Sequence, residues 1–215
     1  MHQIRFLLLI LIIAAASTVA SAQKVSHAKQ SSPSKEGAAM KDGKNTAVVE
    51  TSLGSFEIQL YAQDAPKTVE NFKKLALKKF FDGMRVHRVS KGFVVQTGDE
   101  KSKDLSKVGE WGTGGQSIWG KPFEDELNPI TPSYKEGYKT GVVAMANRGP
   151  NTNTSQFFVC LQNISLPHNY TIFGKVTKGM DVVEKIGTVE IIPGRMGPTD
   201  GRPKTDVVIK KITMK

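Results

Sequence analysis

The sequence predicts a mainly β domain in which the strands close into a barrel and two helices cover its ends. From Asn45 onward, short runs rich in β-branched and aromatic residues alternate with Gly, Pro and Asn, which is typical of strands joined by turns. Only two stretches have the apolar spacing of a helix. We infer closure because an open sheet of so many strands would expose unpaired edges.

The amino-terminal part of this domain begins with a hairpin and a helix. Two β-rich runs on either side of Leu53-Gly54 predict the hairpin. The segment DAPKTVENFKKLALKKFF predicts the clearest helix, with Asp64 as its cap and Pro66 in its first turn. One face of that helix is apolar and is expected to be buried: Val69, Phe72, Leu75 and Ala76.

The remainder of the domain consists mostly of strand-like runs. They read MRVHRV, GFVVQTG, TGVVAMAN, SQFFVCL, YTIFGKV and TDVVIKKITM, with Gly, Pro and Asn between them. Only the segment from Gly179 to Gly187 has the pattern of a second helix. The excess of strands over helices is what makes the prediction mainly β.

The first 44 residues differ in composition from the domain at 45–215. Residues 1–22 combine a cationic start, an apolar run and a small-residue site at Ala20 to Ala22, which predicts a cleaved signal peptide and no membrane span afterwards. The alternative is an uncleaved membrane anchor, although the apolar run of about 15 residues is shorter than a full span. Residues 23–44 are rich in Ser, Lys and Ala, contain no aromatic residue, and predict a flexible linker.

Charge and cysteine content narrow the classes of function. The formal net charge of +10 invites a nucleic-acid partner, but the basic residues are spread along the chain. We therefore expect no nucleic-acid partner and keep a basic surface protein as an alternative. The single Cys160 allows no internal disulfide, as in many bacterial exported proteins, and its strand-like surroundings predict a buried, unreactive thiol.

One loop has the spacing of a phosphate-binding motif. Gly115, Gly120 and Lys121 fit that spacing, but Pro122 stands where the motif needs Ser or Thr to bind Mg²⁺. A tight loop with exposed backbone suits these glycines better. The two histidines of the domain lack the spacing of metal ligands. Neither is accompanied by a Gly-x-Ser-x-Gly motif whose serine could form a catalytic triad with it. We expect no metal and no cofactor.

Five stretches carry the most specific information: VHRVSKGFVVQTGD (86–99), GTGGQSIWG (112–120), FEDE (123–126), MANRGPNTNTSQFF (145–158) and YTIFGKV (170–176). Together they resemble the cyclophilin family of peptidyl-prolyl cis/trans isomerases, and the resemblance covers about residues 45–215. It implies an eight-stranded antiparallel barrel capped by two helices. It also implies an enzyme that rotates Xaa-Pro bonds without a cofactor.

The resemblance assigns roles to residues at matching positions. Arg88 corresponds to the catalytic arginine of the family, and Gln96 would orient it. Arg148, together with Pro122, would border a second pocket that favours acidic or small side chains before the proline. Four apolar side chains would hold the proline ring: Phe93, Val94, Phe158 and Leu166. Six further residues would line the peptide groove: Gly112, Thr113, Ala146, Asn147, Gln156 and Tyr170.

Other features at the site complete the prediction. His87 should point to the opposite face of its strand from Arg88, in a structural role, because side chains alternate along a strand. Ser165 stands where many members of the family have Trp, so we do not expect tight binding of cyclosporin. Tyr170 stands at the position of a His and can still supply an aromatic wall.

The sequence therefore predicts an exported, bacterial-like, monomeric isomerase of the periplasm, the cell envelope or the extracellular space. Its partners would be proline-containing peptides and unfolded protein clients. The alternative is a binding module of the same fold that holds proline-containing segments with weak catalysis.

Overall fold

The computed structural model describes residues 44–215. The predicted signal peptide at 1–22 and the predicted linker as far as residue 43 lie outside the described residues. The strands are β1 Thr46–Thr51, β2 Gly54–Leu60, β3 Arg88–Ser90, β4 Val94–Thr97, β5 Val142–Met145, β6 Phe157–Cys160, β7 Ile172–Lys178, β8 Ile191–Gly194, β9 Gly197–Pro203 and β10 Ile209–Met214. The α-helices are α1 Pro66–Leu77, α2 Pro132–Glu136 and α3 Met180–Gly187, and there are 3₁₀ helices at Glu100–Lys103 and Leu105–Glu110.

The described strands form one antiparallel sheet with the order β10-β1-β2-β7-β5-β6-β4-β3-β9-β8. The predicted mainly β, antiparallel fold is confirmed. The predicted closed barrel of eight strands is not confirmed, because the sheet has ten strands and its two ends, β10 and β8, do not pair with each other. Backbone hydrogen bonds instead join residues 83–86, just before β3, to residues 207–209 at the start of β10.

Strands β8 and β9 form a hairpin that the sequence analysis did not predict. Six of the thirteen residues in IIPGRMGPTDGRP are Gly or Pro, so the segment lacks the β-rich composition of the other strands. It is extended because β9 pairs with β3, where Val89 lies opposite Gly201 and Ser90 opposite Asp200. Pairing with β3 therefore outweighs the low strand propensity of these residues. The hairpin places β9 next to the strand that carries Arg88, with β8 beyond it.

Helix α1 confirms the predicted helix but not its predicted cap. Val69, Phe72, Leu75 and Ala76 are buried, and Pro66 is the first residue. The carboxylate of Asp64 instead accepts a hydrogen bond from the backbone N–H of Ser133 at 2.8 Å. The first turn of α1 is completed by Glu126, whose carboxylate accepts from the backbone N–H groups of residues 67 and 68 at 2.9 and 2.8 Å. A carboxylate at a helix N-terminus satisfies amides that have no partner within the helix.

The core lies between α1 and the sheet and is rich in phenylalanine. The ring of Phe72 on α1 lies 5.3, 5.6 and 5.4 Å from the rings of Phe81, Phe157 and Phe173, measured between centroids. Such aromatic pairs stabilise a core beyond the burial of their area. This packing fixes β7 and also β6, which carries Phe158 of the site described below. No helix within residues 44–215 is both long enough and apolar enough to cross a membrane.

Cys160 lies on β6 and is fully buried, as predicted. Burial raises the pKa of its thiol to about 12. The reactive thiolate is therefore scarce at neutral pH, and the side chain acts as a small apolar residue.

Candidate active site

A cavity of about 620 Å³ opens beside β3, β4 and β9. Most of the residues predicted for the site line it: Arg88, Phe93, Val94, Gln96, Gly112, Ala146, Asn147, Phe158, Leu166 and Tyr170. Two other predicted residues, Arg148 and Gln156, line a smaller adjoining depression. Thr113 lines neither, and Ser165 is exposed outside both.

The sheet register explains why distant residues meet here. Phe158 on β6 lies opposite Gln96 on β4, which lies opposite Arg88 on β3. Asp200 on β9 lies opposite Ser90, two residues along the strand from Arg88. Because neighbouring strands are about 4.8 Å apart, these side chains form a row across the sheet.

The guanidinium of Arg88 is held on two sides. Its Nε and Nη2 donate to the Asp200 carboxylate, with Nε 3.0 Å from Oδ1 and Nη2 2.7 Å from Oδ2. Its Nη1 donates to Oε1 of Gln96 at 3.0 Å. Burial by itself would raise the pKa of Asp200, but hydrogen bonds and charge from Arg88 outweigh it and lower the pKa. The carboxylate is therefore ionised at neutral pH and fixes the orientation of the arginine.

The hydrogen bonds continue from Gln96 to residues 112–115, which we call the glycine-rich loop. Nε2 of Gln96 donates to Oε1 of Gln156 at 3.0 Å, and Nε2 of Gln156 donates to the carbonyl oxygens of Gly112 and Gly114 at 3.0 and 2.8 Å. Nη2 of Arg148 donates to the same two carbonyls at 3.2 and 3.0 Å. Gln96 therefore contacts Arg88, and Gln156 contacts Gln96; that Gln96 orients Arg88 stays a prediction.

The amides of the glycine-rich loop bind carboxylates of the protein itself. Oδ2 of the buried Asp99 accepts from the backbone N–H groups of Gly112 and Gly114 at 2.5 and 3.0 Å. The N–H of Gly115 donates to Oε2 of Glu100 at 2.7 Å. A Cβ on Gly114 would lie 2.1 Å from Oδ1 of Asp99, so glycine is needed for this close approach. These amides are therefore occupied and unavailable to a phosphate, in agreement with the rejection of a phosphate-binding loop.

The other side of the cavity is an apolar pocket, formed by Phe93, Val94, Phe158, Leu166 and Tyr170. All five belong to or pack against one apolar cluster of the sheet. The rings of Phe158 and Tyr170 meet edge to face, with centroids 5.7 Å apart.

The backbone of Tyr170 is held by Tyr138, whose Oη donates to the Tyr170 carbonyl at 2.9 Å and accepts from its N–H at 3.1 Å. Burial raises the pKa of Tyr138 to about 12, so its hydroxyl stays a donor at neutral pH.

His87 differs from its predicted position, because it lines the same cavity as Arg88. It stands just before β3, so strict strand alternation does not apply to it. The side chain is buried, and neither ring nitrogen has a hydrogen-bond partner within the described residues. Burial lowers its pKa to about 4. The ring is therefore neutral at pH 7 and adds no charge beside Arg88.

The second pocket, predicted between Arg148 and Pro122, has a different border. The depression beside Arg148 is lined by Thr152 and Thr154, whereas Pro122 is exposed and lines neither cavity. Thr113 is exposed, and its hydroxyl donates to the carbonyl of residue 110 at 2.7 Å. These positions were assigned by resemblance, and the structure removes Thr113 and Pro122 from the cavity walls.

The sequence analysis missed residues that line the cavity from outside the recognised motifs. Asp200 is the most important, because it contacts Arg88 directly. A tandem of Gly-Pro and Gly-Arg-Pro around a single acidic residue was the only local sign of this hairpin. The others are Val108, Trp111, Ile192, Pro193, Gly194, Met196, Gly201 and Arg202. Within residues 44–215, no three His, Cys, Asp or Glu side chains come together in a way that could hold a metal ion.

Comparisons with known proteins agree with this fold and site. The sequence profile described as "Cyclophilin type peptidyl-prolyl cis-trans isomerase/CLD" matches residues 46–214. A peptidyl-prolyl cis-trans isomerase-like 1 protein of Neurospora crassa is 43% identical over 169 residues, which are 76% of this chain and 90% of that protein. A peptidyl-prolyl cis-trans isomerase-like 3 protein of Gallus gallus is 41% identical over 167 residues, 77% of this chain and 93% of that protein. This chain belongs to the cyclophilin type peptidyl-prolyl cis-trans isomerase family.

Solved structures and a longer relative give the same result. A Cryptosporidium parvum cyclophilin type peptidyl-prolyl cis-trans isomerase superposes with a TM-score of 0.69 at 27% identity, covering 80% of this chain and 98% of that chain. A structure of the same protein in the presence of the dipeptide Ala-Pro has a TM-score of 0.68. A mouse "Peptidylprolyl isomerase domain and WD repeat-containing protein 1" is 40% identical over 172 residues, and this chain spans about a quarter of its length, 24%.

The predicted class of enzyme, a cyclophilin-type peptidyl-prolyl cis-trans isomerase, is confirmed. The relatives named above are eukaryotic, which gives no support to the predicted bacterial-like member.

Proposed function

We propose that this chain accelerates rotation about Xaa-Pro bonds in polypeptides, with Arg88 as the catalytic residue and the apolar pocket as the site of the proline ring. The observation that supports the proposal is the position of Arg88, held by Asp200 and Gln96 in the cavity whose other side is the apolar pocket. An exposed arginine on a flexible side chain would lose this orientation.

The reaction requires that the resonance of one amide be weakened. Rotation about a peptide bond faces a barrier of about 18 to 20 kcal/mol and takes tens to hundreds of seconds for Xaa-Pro without a catalyst. In the twisted state the proline nitrogen becomes pyramidal and regains its lone pair. A donor near that nitrogen stabilises the twisted state more than the planar one, which lowers the barrier. No proton transfer and no covalent step are needed.

Arg88 has the donors for this role. A guanidinium carries five N–H bonds. The bonds to Asp200 and Gln96 use the Nε–H, one N–H of Nη2 and one N–H of Nη1. One N–H on each terminal nitrogen remains for the substrate. Because the guanidinium stays charged at any working pH, these donors are always available. Asp200 and Gln96 are positioning residues, since they act through Arg88.

The remaining groove residues support an extended peptide beside the proline. Ala146 and Asn147 follow β5 and line both the cavity and the depression near Arg148. Nδ2 of Asn147 donates to the carbonyl of Asn169 at 2.8 Å and its Oδ1 accepts from the N–H of Gly149 at 3.3 Å, so the side chain is held and we expect the backbone groups of Asn147 to bind the peptide. Arg148 is expected to bias the residues before the proline towards acidic or small side chains, through the N–H groups that it does not donate to the glycine-rich loop.

The clients that we propose are unfolded or flexible chains in an exported compartment, and we expect the protein to act as a monomer. Support for export comes from the pattern of residues 1–22 alone. Amino-terminal sequencing of the protein recovered from its natural source tests it. A start at Gln23 supports cleavage, and an intact Met1 supports a tethered enzyme. Cyclosporin is not expected to bind tightly, because Ser165 replaces the usual indole.

An isomerisation assay on short Xaa-Pro peptides tests the function. The wild type should accelerate exchange, and Arg88→Ala should reduce kcat/KM by roughly a hundredfold or more. Lys211→Ala is the matched control, because it removes a cation that pairs with Glu50 outside the cavity. Absence of acceleration by the wild type contradicts the function, and equal rates for wild type and Arg88→Ala contradict the role of Arg88.

A second candidate function is a binding module that holds proline-containing segments with weak catalysis. The Arg88–Asp200 pair is the observation behind it, because the carboxylate offsets the charge of the guanidinium and takes up two of its five N–H donors. This candidate predicts peptide binding that does not depend on Arg88 together with little acceleration.

A further inference from the structure

Several of the exposed apolar side chains line the cavity. Within residues 44–215, seven large hydrophobic side chains are exposed. Three of them, Val108, Ile192 and Met196, line the cavity and are 39%, 40% and 77% exposed. Single exposed apolar residues are ordinary on a protein surface, whereas a cluster that lines a cavity marks a binding surface. We call these three residues, together with Trp111, the apolar wall.

The apolar wall is distinct from the apolar pocket that receives the proline. In the sheet order β6-β4-β3-β9-β8, the pocket residues Val94 and Phe158 are on β4 and β6, and Ile192 is on β8. Arg88 on β3 lies between them. Two strand spacings separate β3 from β8, about 10 Å, and an extended peptide covers that distance in about three residues. One peptide can therefore place a proline beside Arg88 and a neighbouring side chain on the wall.

Both sides of the apolar wall are anchored to the protein. The hairpin that carries Ile192 is joined to β3 by strand pairing and by the ion pair of Arg88 with Asp200. Trp111 follows the second 3₁₀ helix, and its Nε1 donates to the carbonyl of residue 104 at 3.1 Å, so the polar atom of the indole is satisfied. The guanidinium carbon of Arg85 lies 5.7 Å from the centroid of the same ring and holds it further. A cavity of about 620 Å³ also exceeds what a proline ring fills and is within the roughly 300 to 1,000 Å³ of sites for larger ligands.

We propose that the apolar wall is a specificity subsite for a large apolar side chain, such as Leu, Met or Phe, two or three residues from the proline of a client. This inference rests on the proposed function, because the client is the same peptide that occupies the apolar pocket. The continuity of one cavity from the pocket to the wall is what identifies the occupant as a client segment rather than a second copy of the chain.

A peptide series on the full chain tests the subsite. The peptides share one Xaa-Pro bond and carry Leu or Ala at the second and third positions on either side of the proline. The proteins are the wild type, the double variant Ile192→Ser/Met196→Ser, and the control Ile130→Ser, which removes a side chain that is 73% exposed outside the cavity. Met196→Ser alone replaces the double variant if that variant does not fold. Both kcat/KM and the Kd for each peptide are measured.

The wild type and the control should prefer at least one Leu peptide over its Ala counterpart by roughly fivefold, from partial burial of the leucine side chain. In the double variant this ratio should fall towards one. A ratio near one in the wild type, or an unchanged ratio in the double variant, overturns the subsite.

Preferential binding of Leu peptides without acceleration of any peptide supports the subsite and contradicts the proposed isomerase function. A wild type that is dimeric and a double variant that is monomeric, with an unchanged ratio, would show that the wall binds a second copy instead.

Discussion

The guanidinium of Arg88 and the carboxylate of Asp200 form a two-point ion pair in the cavity, with Nη2 2.7 Å from Oδ2 and Nε 3.0 Å from Oδ1. The two residues are 112 positions apart in the chain and are brought together by the pairing of β3 with β9. Because Asp200 is more buried than Arg88, the carboxylate acts as the fixed partner and the arginine as the positioned one.

Asp200→Asn should lower kcat roughly ten- to hundredfold and change KM little, because the arginine is mispositioned for the twisted state while the apolar pocket is unaltered. Asp200→Glu should recover part of the loss, since it restores the charge. Asp206→Asn is the control, because it breaks a similar pair with Arg85 outside the cavity. Steady-state kinetics at neutral pH measure both constants. A rise in KM with kcat unchanged, or equal effects of Asp200→Asn and Asp206→Asn, would contradict the positioning role.

Asp99→Ala should destabilise the domain by about 3 kcal/mol, because three backbone N–H groups, those of residues 101, 112 and 114, lose a buried acceptor. Urea unfolding measures this change. Asp104→Ala is the matched control, since Asp104 accepts from the N–H of residue 106 in the same way but on the exposed surface. It should cost clearly less. Similar losses for the two variants would show that the glycine-rich loop does not depend on Asp99.

His87 predicts a specific dependence of stability on pH. The unfolded chain binds a proton at this side chain below about pH 6.5, whereas burial lowers the pKa in the folded state to about 4. Between these values the unfolded state holds the extra proton, so the free energy of unfolding should fall as the pH is lowered, by about 1.4 kcal/mol per pH unit from this residue.

Urea unfolding across that pH range, with wild type and His87→Gln, isolates the contribution of His87. The variant should lack this part of the slope, and the exposed His168→Gln should keep it. The slope is the readout, so a general loss of stability in His87→Gln does not affect the comparison. Identical slopes for wild type and His87→Gln would be inconsistent with a neutral, buried imidazole.

Local patterns in the sequence are sufficient for much of the fold. Helix α1 has its buried face at the predicted positions because the apolar spacing of Val69, Phe72 and Leu75 is itself the packing surface. Phe93, Val94 and Phe158 of the apolar pocket, and Gln96, lie in or beside β4 and β6, within stretches that resemble the family. Their relative placement follows from strand pairing, which the resemblance implies.

What the sequence did not predict depends on contacts between distant residues. Glu126, not Asp64, caps α1 across 58 positions of chain, and helix-start patterns describe only neighbours in sequence. The β8–β9 hairpin is extended because β3 offers a pairing edge, although its own residues disfavour a strand. Asp200 and the apolar wall were missed for the same reason, and so was the ten-strand order of the sheet.

Parallel measurement of binding and turnover for wild type and Arg88→Ala distinguishes an arginine that catalyses from one that only binds. One Xaa-Pro peptide is titrated to obtain Kd, and its cis/trans exchange rate is measured by NMR in the same samples. We expect Arg88→Ala to keep the Kd within about threefold, because the apolar pocket remains, and to lose roughly a hundredfold or more in the exchange rate at saturation. A variant that exchanges the bound peptide as fast as the wild type would contradict catalysis by Arg88.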